Sequence, residues 1–193
     1  MSVKLKRWLI LLGTIVSVLL SDQLSKLWVI DNLLLGESIQ PLPFLTPYFQ
    51  ITRSFNTGAA FGFLPEVGDI FIVIAFVVVI GIFFFYPRIP DEAVLTRLAT
   101  GMVAGGALGN AVDRIIHGHV VDFIHYQIPN VISNVSNIAD HAIVGGVLLI
   151  IYESWRLEKR QQALALEEPT VSETVDIDNS RATNETHHPT GQD

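Results

Sequence analysis

The sequence predicts an all-α membrane protein with four transmembrane helices and a small β-rich cradle between helices 1 and 2. Three observations predict this fold class. Hydrophobic residues make up 50% of the 193 residues and charged residues only 16%, whereas a soluble domain carries about a quarter charged residues. Four mostly apolar stretches approach the ~20 residues that a spanning helix needs. Between the first two, short strand-like runs surround an Asn-Thr-Gly turn.

The first predicted span begins after three basic residues and imitates a secretory signal sequence. The residues that follow it lack a small-x-small cleavage pattern, so we interpret it as an uncleaved span. In chain order, the predicted spans are residues 8–28, 70–86, 94–116 and 138–155.

The third predicted span is the least hydrophobic and is rich in glycine and alanine. Gly101, Gly105 and Gly109 recur at every fourth residue. A face of small residues lets helix backbones approach closely in lipid. We therefore expect the third helix to be packed in the centre of the protein.

Lysine and arginine residues divide unevenly between the two sides of the predicted membrane. With four spans both termini lie on one side, and that side holds nine of the 12 basic residues. The positive-inside rule makes it the cytoplasmic side. We therefore expect a multi-pass protein whose β-rich cradle is extracytoplasmic. The connection between spans three and four lies on that same outer side.

The chain is predicted to divide into a membrane-embedded domain, residues 1–160, and a cytoplasmic tail, residues 161–193. The tail is polar, acidic and poor in aromatic residues. Such a composition is typical of disorder. We assign no chemistry to the tail.

Four acidic side chains lie at or beside the ends of predicted spans. Asp22 is fourteen residues beyond the start of the first span, which is roughly 21 Å across a core of about 30 Å. The same arithmetic places Asp113, Asp122 and Asp140 near the outer edge of the bilayer. An ionisable residue at that depth costs free energy, so these carboxylates indicate a functional site near the extracytoplasmic face.

Two of these carboxylates also have a structural interpretation. Asp22 and Lys26 are four residues apart on one helix face and can neutralise each other. Asp113 precedes Arg114, and the two can form an ion pair that fixes the end of the third span. Structural and functional roles both stay open here.

Asp122 and Asp140 have apolar neighbours and no adjacent basic residue. Two carboxyl groups a few ångströms apart cannot both ionise, so they share a proton. The ionised group can draw a proton from water, while the protonated one donates a hydrogen bond to the carbonyl under attack. This is the chemistry of an aspartic protease, and the pair is our candidate catalytic dyad.

Three asparagines lie near these acids. Asn56 fits a turn and Asn137 fits a helix cap. Asn110 lies inside the third span, where an unsatisfied amide is costly. A structural role and a site role stay open for the first two, and Asn110 favours a site role.

A metal site is a weaker possibility. The outer segments and the adjoining helix end contain four histidines, but the chain has no HExxH motif, and a His-x-His pair in a polar connection is a weak signal. The absence of cysteine excludes disulfides, thiolate metal ligands and a cysteine nucleophile. We expect no metal and no cofactor. The histidines are His117, His119, His125 and His141.

Five motifs together resemble the lipoprotein signal peptidases, also called signal peptidase II. Each motif alone is weak, but their order and spacing match over about residues 8–155. The motifs are DQLSK (22–26), FNTGAAFGF (55–63), GALGNAVDR (106–114), HGHVVDFI (117–124) and NIADHAI (137–143).

The resemblance implies a four-span aspartyl endopeptidase of the bacterial cytoplasmic (inner) membrane. It would remove signal peptides from prolipoproteins, cleaving before a cysteine that carries diacylglycerol. By motif, Asp122 and Asp140 would be the catalytic pair and Asp113 would be structural. The connection between spans three and four would be a mobile flap. The residues that would line or support the substrate site are Asp22, Asn56, Asn110, Arg114 and Asn137.

The implied partners are lipid-modified prolipoproteins and membrane lipid; we expect a monomer and no nucleic acid partner. Two positions depart from the family pattern. Ser136 stands where an aromatic residue is common, and His141 stands where a serine is common.

Two other classes of function stay open on the residues alone. One is a small proton-coupled transporter, in which intramembrane acids relay protons. The clustering of the acids at one edge argues against it. The other is a non-catalytic membrane scaffold whose acids only pair with basic residues.

Overall fold

A computed structural model describes residues 2–58 and 67–167, which form a mostly helical chain with one small antiparallel sheet. Each predicted span lies in an α-helix, except that residue 86 begins a 3-10 turn after the second. Within the described ranges, two helical segments are long and apolar enough to cross a membrane, Asp69–Arg88 and Ile138–Leu166. The helices are α1 (Val3–Asn32), α2 (Val67–Phe85), α3 (Val94–His117) and α4 (Ile138–Glu167).

The sheet has the strand order β1-β2-β3-β4, and all neighbouring strands are antiparallel. The predicted strand ITRSF lies within the second strand and is confirmed. The predicted strand AAFGF, residues 59–63, lies outside the described residues. The strands are β1 (Ser38–Ile39), β2 (Phe49–Asn56), β3 (Val120–Ile128) and β4 (Ile132–Ser136).

Half of the sheet comes from a connection in which we predicted no strands. The β-rich cradle was placed between helices 1 and 2 alone, but β3 and β4 form a hairpin between α3 and α4. The β3 sequence VVDFIHYQI is rich in β-branched and aromatic residues, which favour strands. The hairpin turns at Asn130, which has a φ of 62°. Both connections therefore build the cradle.

Helix α3 lies between α1 and α4, in agreement with the predicted glycine-rich central helix. A Cβ atom at Gly105 would lie 2.9 Å from the Val18 Cβ of α1. A Cβ atom at Gly106 would overlap the Ala139 carbonyl oxygen of α4. Glycine at these two positions lets both neighbouring backbones approach α3 closely.

Apolar packing joins the sheet to the helix ends. Val29 and Leu33, at the end of α1, are buried against Phe123 of β3. This contact holds the sheet where α1 and α3 end and α4 begins. Helix α2 differs from its neighbours because much of its apolar surface is exposed, with Ile80 at 67%. Such a continuous apolar face is what a helix presents to lipid or to a partner.

Candidate active site

The four predicted carboxylates meet at the end of the helices that carries the sheet. Asp22 lies on α1 and Asp113 on α3, while Asp122 lies on β3 and Asp140 in the first turn of α4. Asp140 is half-buried, and the other three are exposed by 3% or less. Contacts through Lys26, Asn110 and Asn137 link all four, which agrees with the prediction that they share one level.

Asn137 connects the two candidate catalytic carboxylates. Its Nδ2 donates to Asp122 Oδ1 at 2.6 Å. Its Oδ1 accepts the Asp140 backbone N–H at 2.9 Å, so the predicted helix cap is confirmed. One fully buried amide therefore holds a carboxylate on β3 and the backbone of α4 at the same time.

Asn110 holds Asp140 from the side of α3. Its Nδ2 donates to Asp140 Oδ1 at 2.7 Å, and its Oδ1 accepts from Lys26 Nζ at 3.2 Å. An ammonium group can only donate hydrogen bonds, so the amide oxygen must face Lys26. The amide nitrogen is then directed at Asp140. The Asn110 amide inside the span is therefore hydrogen-bonded through both its oxygen and its nitrogen.

Asp122 is an unusual carboxyl because it is almost completely buried. Burial raises the pKa of Asp122 to about 6, against hydrogen bonds with Asn137 and Asn56 that lower it. The nearby charge of Asp140 raises this pKa further. The sheet places Asn56 where its side chain hydrogen-bonds to the Asp122 carboxyl. The Asn56 Oδ1 also accepts the Gly58 N–H at 2.8 Å, which confirms the predicted turn.

Lys26 joins the remaining two carboxylates. Its Nζ lies 2.7 Å from Asp22 Oδ2 and 2.8 Å from Asp113 Oδ2. The predicted partnership of Asp22 with Lys26 is confirmed. The predicted ion pair between Asp113 and Arg114 is wrong, because consecutive helical residues point about 100° apart. Asp113 faces α1, whereas Arg114 faces a cavity.

That cavity has a volume of about 350 Å³ and lies between α2, α3 and α4. Its walls are mostly apolar side chains, with Asn110, Arg114 and Asp140 as the polar exceptions. The Arg114 guanidinium donates to the Asn110 carbonyl at 3.1 Å and lies 4.9 Å from the centre of the Phe71 ring. Its Nε is buried. Arg114 thus has one N–H donor, at Nε, without a partner among the described residues.

A second cavity, of about 400 Å³, lies beside Asp140 towards the sheet. Its polar lining includes Asn56, Tyr126, Ser136 and His141. Asp140 borders both cavities, one surrounded mostly by apolar side chains and the other mostly by side chains with a polar group. The carboxylate is therefore placed where two chemically different parts of one ligand can meet.

Sequence reasoning missed Gln23 as a member of this group. Its Nε2 lies 2.8 Å from Asp113 Oδ1 and 3.3 Å from the Gly109 carbonyl oxygen. The sequence contained the signal: like Asn110, Gln23 is an amide side chain inside a predicted span, where it needs hydrogen-bond partners. The role of His141 was also unassigned, and its Nε2 lies 3.2 Å from the Tyr126 hydroxyl.

Of the histidines considered as metal ligands, His125 is fully engaged within the sheet. Its Nδ1 lies 2.8 Å from Gln50 Nε2 and 3.0 Å from the Thr52 hydroxyl. Its Nε2 lies 2.8 Å from the Ser133 hydroxyl. This side chain ties β2, β3 and β4 together.

Comparison with known proteins gives consistent matches. The family model for signal peptidase (SPase) II matches residues 14–156. The lipoprotein signal peptidase of Halothermothrix orenii is 40% identical over 142 residues, or 74% of this chain and 92% of that protein. That of Bacillus subtilis is 39% identical over 136 residues, or 70% of this chain and 86% of that protein.

A solved structure supports the same assignment. It is described as a bacterial membrane enzyme determined by the in meso method at 2.3 Å resolution. It matches with a TM-score of 0.67 and 30% sequence identity, covering 76% of this chain and 87% of that chain. The range matched by the family model includes all the candidate site residues. This chain is therefore a bacterial membrane protein that belongs to the signal peptidase II family.

Proposed function

We propose that this protein is a membrane aspartyl endopeptidase that removes signal peptides from diacylglyceryl-modified prolipoproteins, cleaving before the lipidated cysteine. Family membership and relatives named lipoprotein signal peptidase support signal-peptide removal from prolipoproteins. The aspartyl mechanism rests chiefly on one observation. Asn137 holds Asp122 and the backbone of Asp140 together. Burial also raises the pKa of Asp122 to about 6, so its carboxyl stays protonated up to about that pH.

In the proposed reaction Asp140 is the base and Asp122 is the acid. Water gives one proton to the Asp140 carboxylate as its oxygen bonds to the scissile carbonyl carbon. The Asp122 carboxyl gives its proton to the carbonyl oxygen, which forms a neutral tetrahedral diol. Asp140 then protonates the leaving amine while Asp122 recovers a proton from the diol, and the C–N bond breaks.

The two cavities suit the two parts of such a substrate. The apolar cavity fits hydrocarbon, either of the signal peptide or of the acyl chains, and Arg114 offers a donor to a carbonyl within it. The polar cavity fits main-chain amides next to the scissile bond. Asp140 lies between them, where the reaction needs it.

We also place the protein in the bacterial cytoplasmic (inner) membrane with four spans and both termini cytoplasmic. The active site then lies near the extracytoplasmic face. The distribution of basic residues supports this orientation. Residues 1–160 form the peptidase domain and residues 161–193 a cytoplasmic tail. The peptidase acts as a monomer on its lipid-embedded substrate.

The first test is a cleavage assay with the purified full-length protein in detergent. The substrate is a prolipoprotein peptide whose cysteine carries diacylglycerol, assayed with and without a chelator. We expect cleavage directly before the cysteine, unchanged by chelation, and at least about tenfold slower for the unlipidated peptide because substrate binding depends on lipid burial. A transporter or a scaffold gives no product, and cleavage abolished by chelation would contradict the aspartyl mechanism.

A further inference from the structure

The backbone immediately before each proposed catalytic aspartate is held by a buried carboxylate. Asp22 Oδ1 accepts the N–H of Ala139, the residue before Asp140, at 2.9 Å. Asp113 Oδ2 accepts the N–H of Val121, the residue before Asp122, at 3.0 Å. These bonds connect α1 to α4 and α3 to β3. Hydrogen bonds from N–H groups to carboxylates are short and strong compared with neutral ones.

Both carboxylates are in turn held by one lysine. Lys26 Nζ lies within 2.8 Å of an oxygen of Asp22 and of Asp113, and all three side chains are exposed by 2% or less. The third Lys26 donor reaches Asn110 Oδ1 at 3.2 Å, which directs the amide nitrogen at Asp140. All three protons of the ammonium group are therefore used.

The oxygens of the two acids are fully engaged within this group. Asp22 uses Oδ2 for Lys26 and Oδ1 for Ala139. Asp113 uses Oδ2 for Lys26 and for Val121, and its Oδ1 accepts from Gln23 at 2.8 Å. Neither side chain has an oxygen without a partner in this group. Their contacts lead to the backbone of the dyad and not to a substrate.

We propose that Asp22, Lys26 and Asp113 form a positioning triad that sets the separation of the two catalytic carboxyl groups. This inference rests on the proposed function, because it assigns the triad to the geometry of the Asp122–Asp140 pair. Through Asp22 and Asp113, one ammonium group fixes the backbone before both catalytic aspartates. Displacement of either triad acid therefore moves one catalytic group relative to the other. None of the three is a catalytic residue.

The test uses Asp22→Asn and Asp113→Asn in the full-length enzyme. In Asp22→Asn the amide can accept the Ala139 N–H only by turning its own NH2 towards Lys26, which is also a donor. In Asp113→Asn an amide oxygen that keeps both Val121 and Lys26 leaves the NH2 facing the donor Nε2 of Gln23. We expect kcat per folded molecule to fall about 10–100-fold, since small misplacements of catalytic groups cost this much. KM should change less than about threefold, because the cavities that hold the substrate are intact. Asp31→Asn, an exposed acid on the same helix as Asp22, is the matched control and should behave as wild type.

Asp113→Glu separates position from charge. The longer side chain keeps the ion pair with Lys26 but moves the point at which Val121 is held by about the length of one methylene. A positioning role predicts a clear loss of kcat at nearly constant KM. If this variant matches the wild type in kcat, the triad only neutralises buried charge and the proposal is overturned.

The pH dependence provides a readout that a purely structural role would not change. The charge of Asp140 raises the pKa of Asp122. A wider dyad weakens this effect, so the alkaline limb of kcat/KM should move to lower pH in Asp113→Glu, which keeps the negative charge beside Lys26. An unchanged limb and unchanged kcat per folded molecule, with only a smaller yield, would assign the triad to folding. Failure of all three variants to accumulate in membranes would do the same.

Failure of the inference is distinguishable from failure of the proposed function. If the Asp122→Asn enzyme cleaves the lipidated peptide as well as the wild type does, the proposed mechanism itself is wrong. If Asp122→Asn is inactive while the triad variants keep wild-type kcat, only the positioning triad is wrong.

Discussion

At the scale of single residues, the environment of Asp122 explains its proposed role as an acid. Its carboxyl is removed from water, and burial outweighs the hydrogen bonds that favour the ionised form. The charged groups that shift its pKa come from two helices: Asp140 of α4 raises it and Lys26 of α1 lowers it. Asp140 by contrast is half-buried and accepts a hydrogen bond from Asn110.

The raised pKa of Asp122 predicts an alkaline limb in the pH profile. A raised carboxyl pKa means that the neutral form persists up to about pH 6 and is lost as the pH rises through that value. The kcat/KM of the free enzyme should therefore fall above about pH 6. A bound apolar substrate removes more water and raises the pKa further, so the limb in kcat should lie at higher pH.

Full pH–rate profiles with the lipidated peptide measure both limbs. Identical limbs in kcat and kcat/KM would contradict further desolvation by the substrate. A flat kcat/KM between pH 5 and 8 would contradict the assignment of Asp122 as the acid.

At the scale of elements, α3 organises the site because its glycines face two neighbours. The face with Gly105 and Gly109 packs against α1, and Gly106 packs against the first turn of α4, next to Asp140. The helix ends at Gly118, whose φ of 75° suits glycine and reverses the chain directly into β3. One short stretch of sequence thus supplies Asp113, the turn and Asp122.

Gly106→Ala tests this close packing. The new methyl group would overlap the Ala139 carbonyl oxygen, which belongs to the backbone and cannot rotate away. We expect a loss of about 1–3 kcal/mol in stability from overpacking, together with a lower kcat because the first turn of α4 carries Asp140. Thermal unfolding in detergent and single-substrate kinetics measure the two effects. Gly81→Ala on α2 is the matched control.

An added Cβ at Gly81 meets nothing within 4 Å, so that variant should keep the wild-type unfolding temperature and kcat. Equal behaviour of the two variants would show that α4 does not depend on close approach at Gly106.

At the scale of the whole molecule, the rise per residue of a helix predicted the depth of the acidic residues well, whereas neighbouring positions in the sequence predicted ion pairs less well. The rise per residue brought Asp22 and Asp113 to one level without any knowledge of tertiary contacts. Adjacency in sequence suggested Arg114 as the partner of Asp113, but helix direction made Lys26 the partner.

The sheet shows the same limit of sequence reasoning. A strand between the first two helices was predictable from its turn and its β-branched residues. The hairpin of β3 and β4 was missed although the residues of β3 favour a strand, because its pairing with β2 joins segments that are far apart in the sequence. Its register places Asp122 opposite Ser54 and Val120 opposite Asn56, and this brings Asn56 to the Asp122 carboxyl.

The central claim, that two carboxyl groups act as one unit, is tested most directly by kcat values for Asp122→Asn, Asp140→Asn and the double variant. All three are measured per folded molecule on the lipidated peptide. We expect each single replacement to lower kcat by about 10²–10⁴-fold, and the double variant to be no slower than the slower single one. Losses that multiply in the double variant, or a single variant within tenfold of the wild type, would contradict the account.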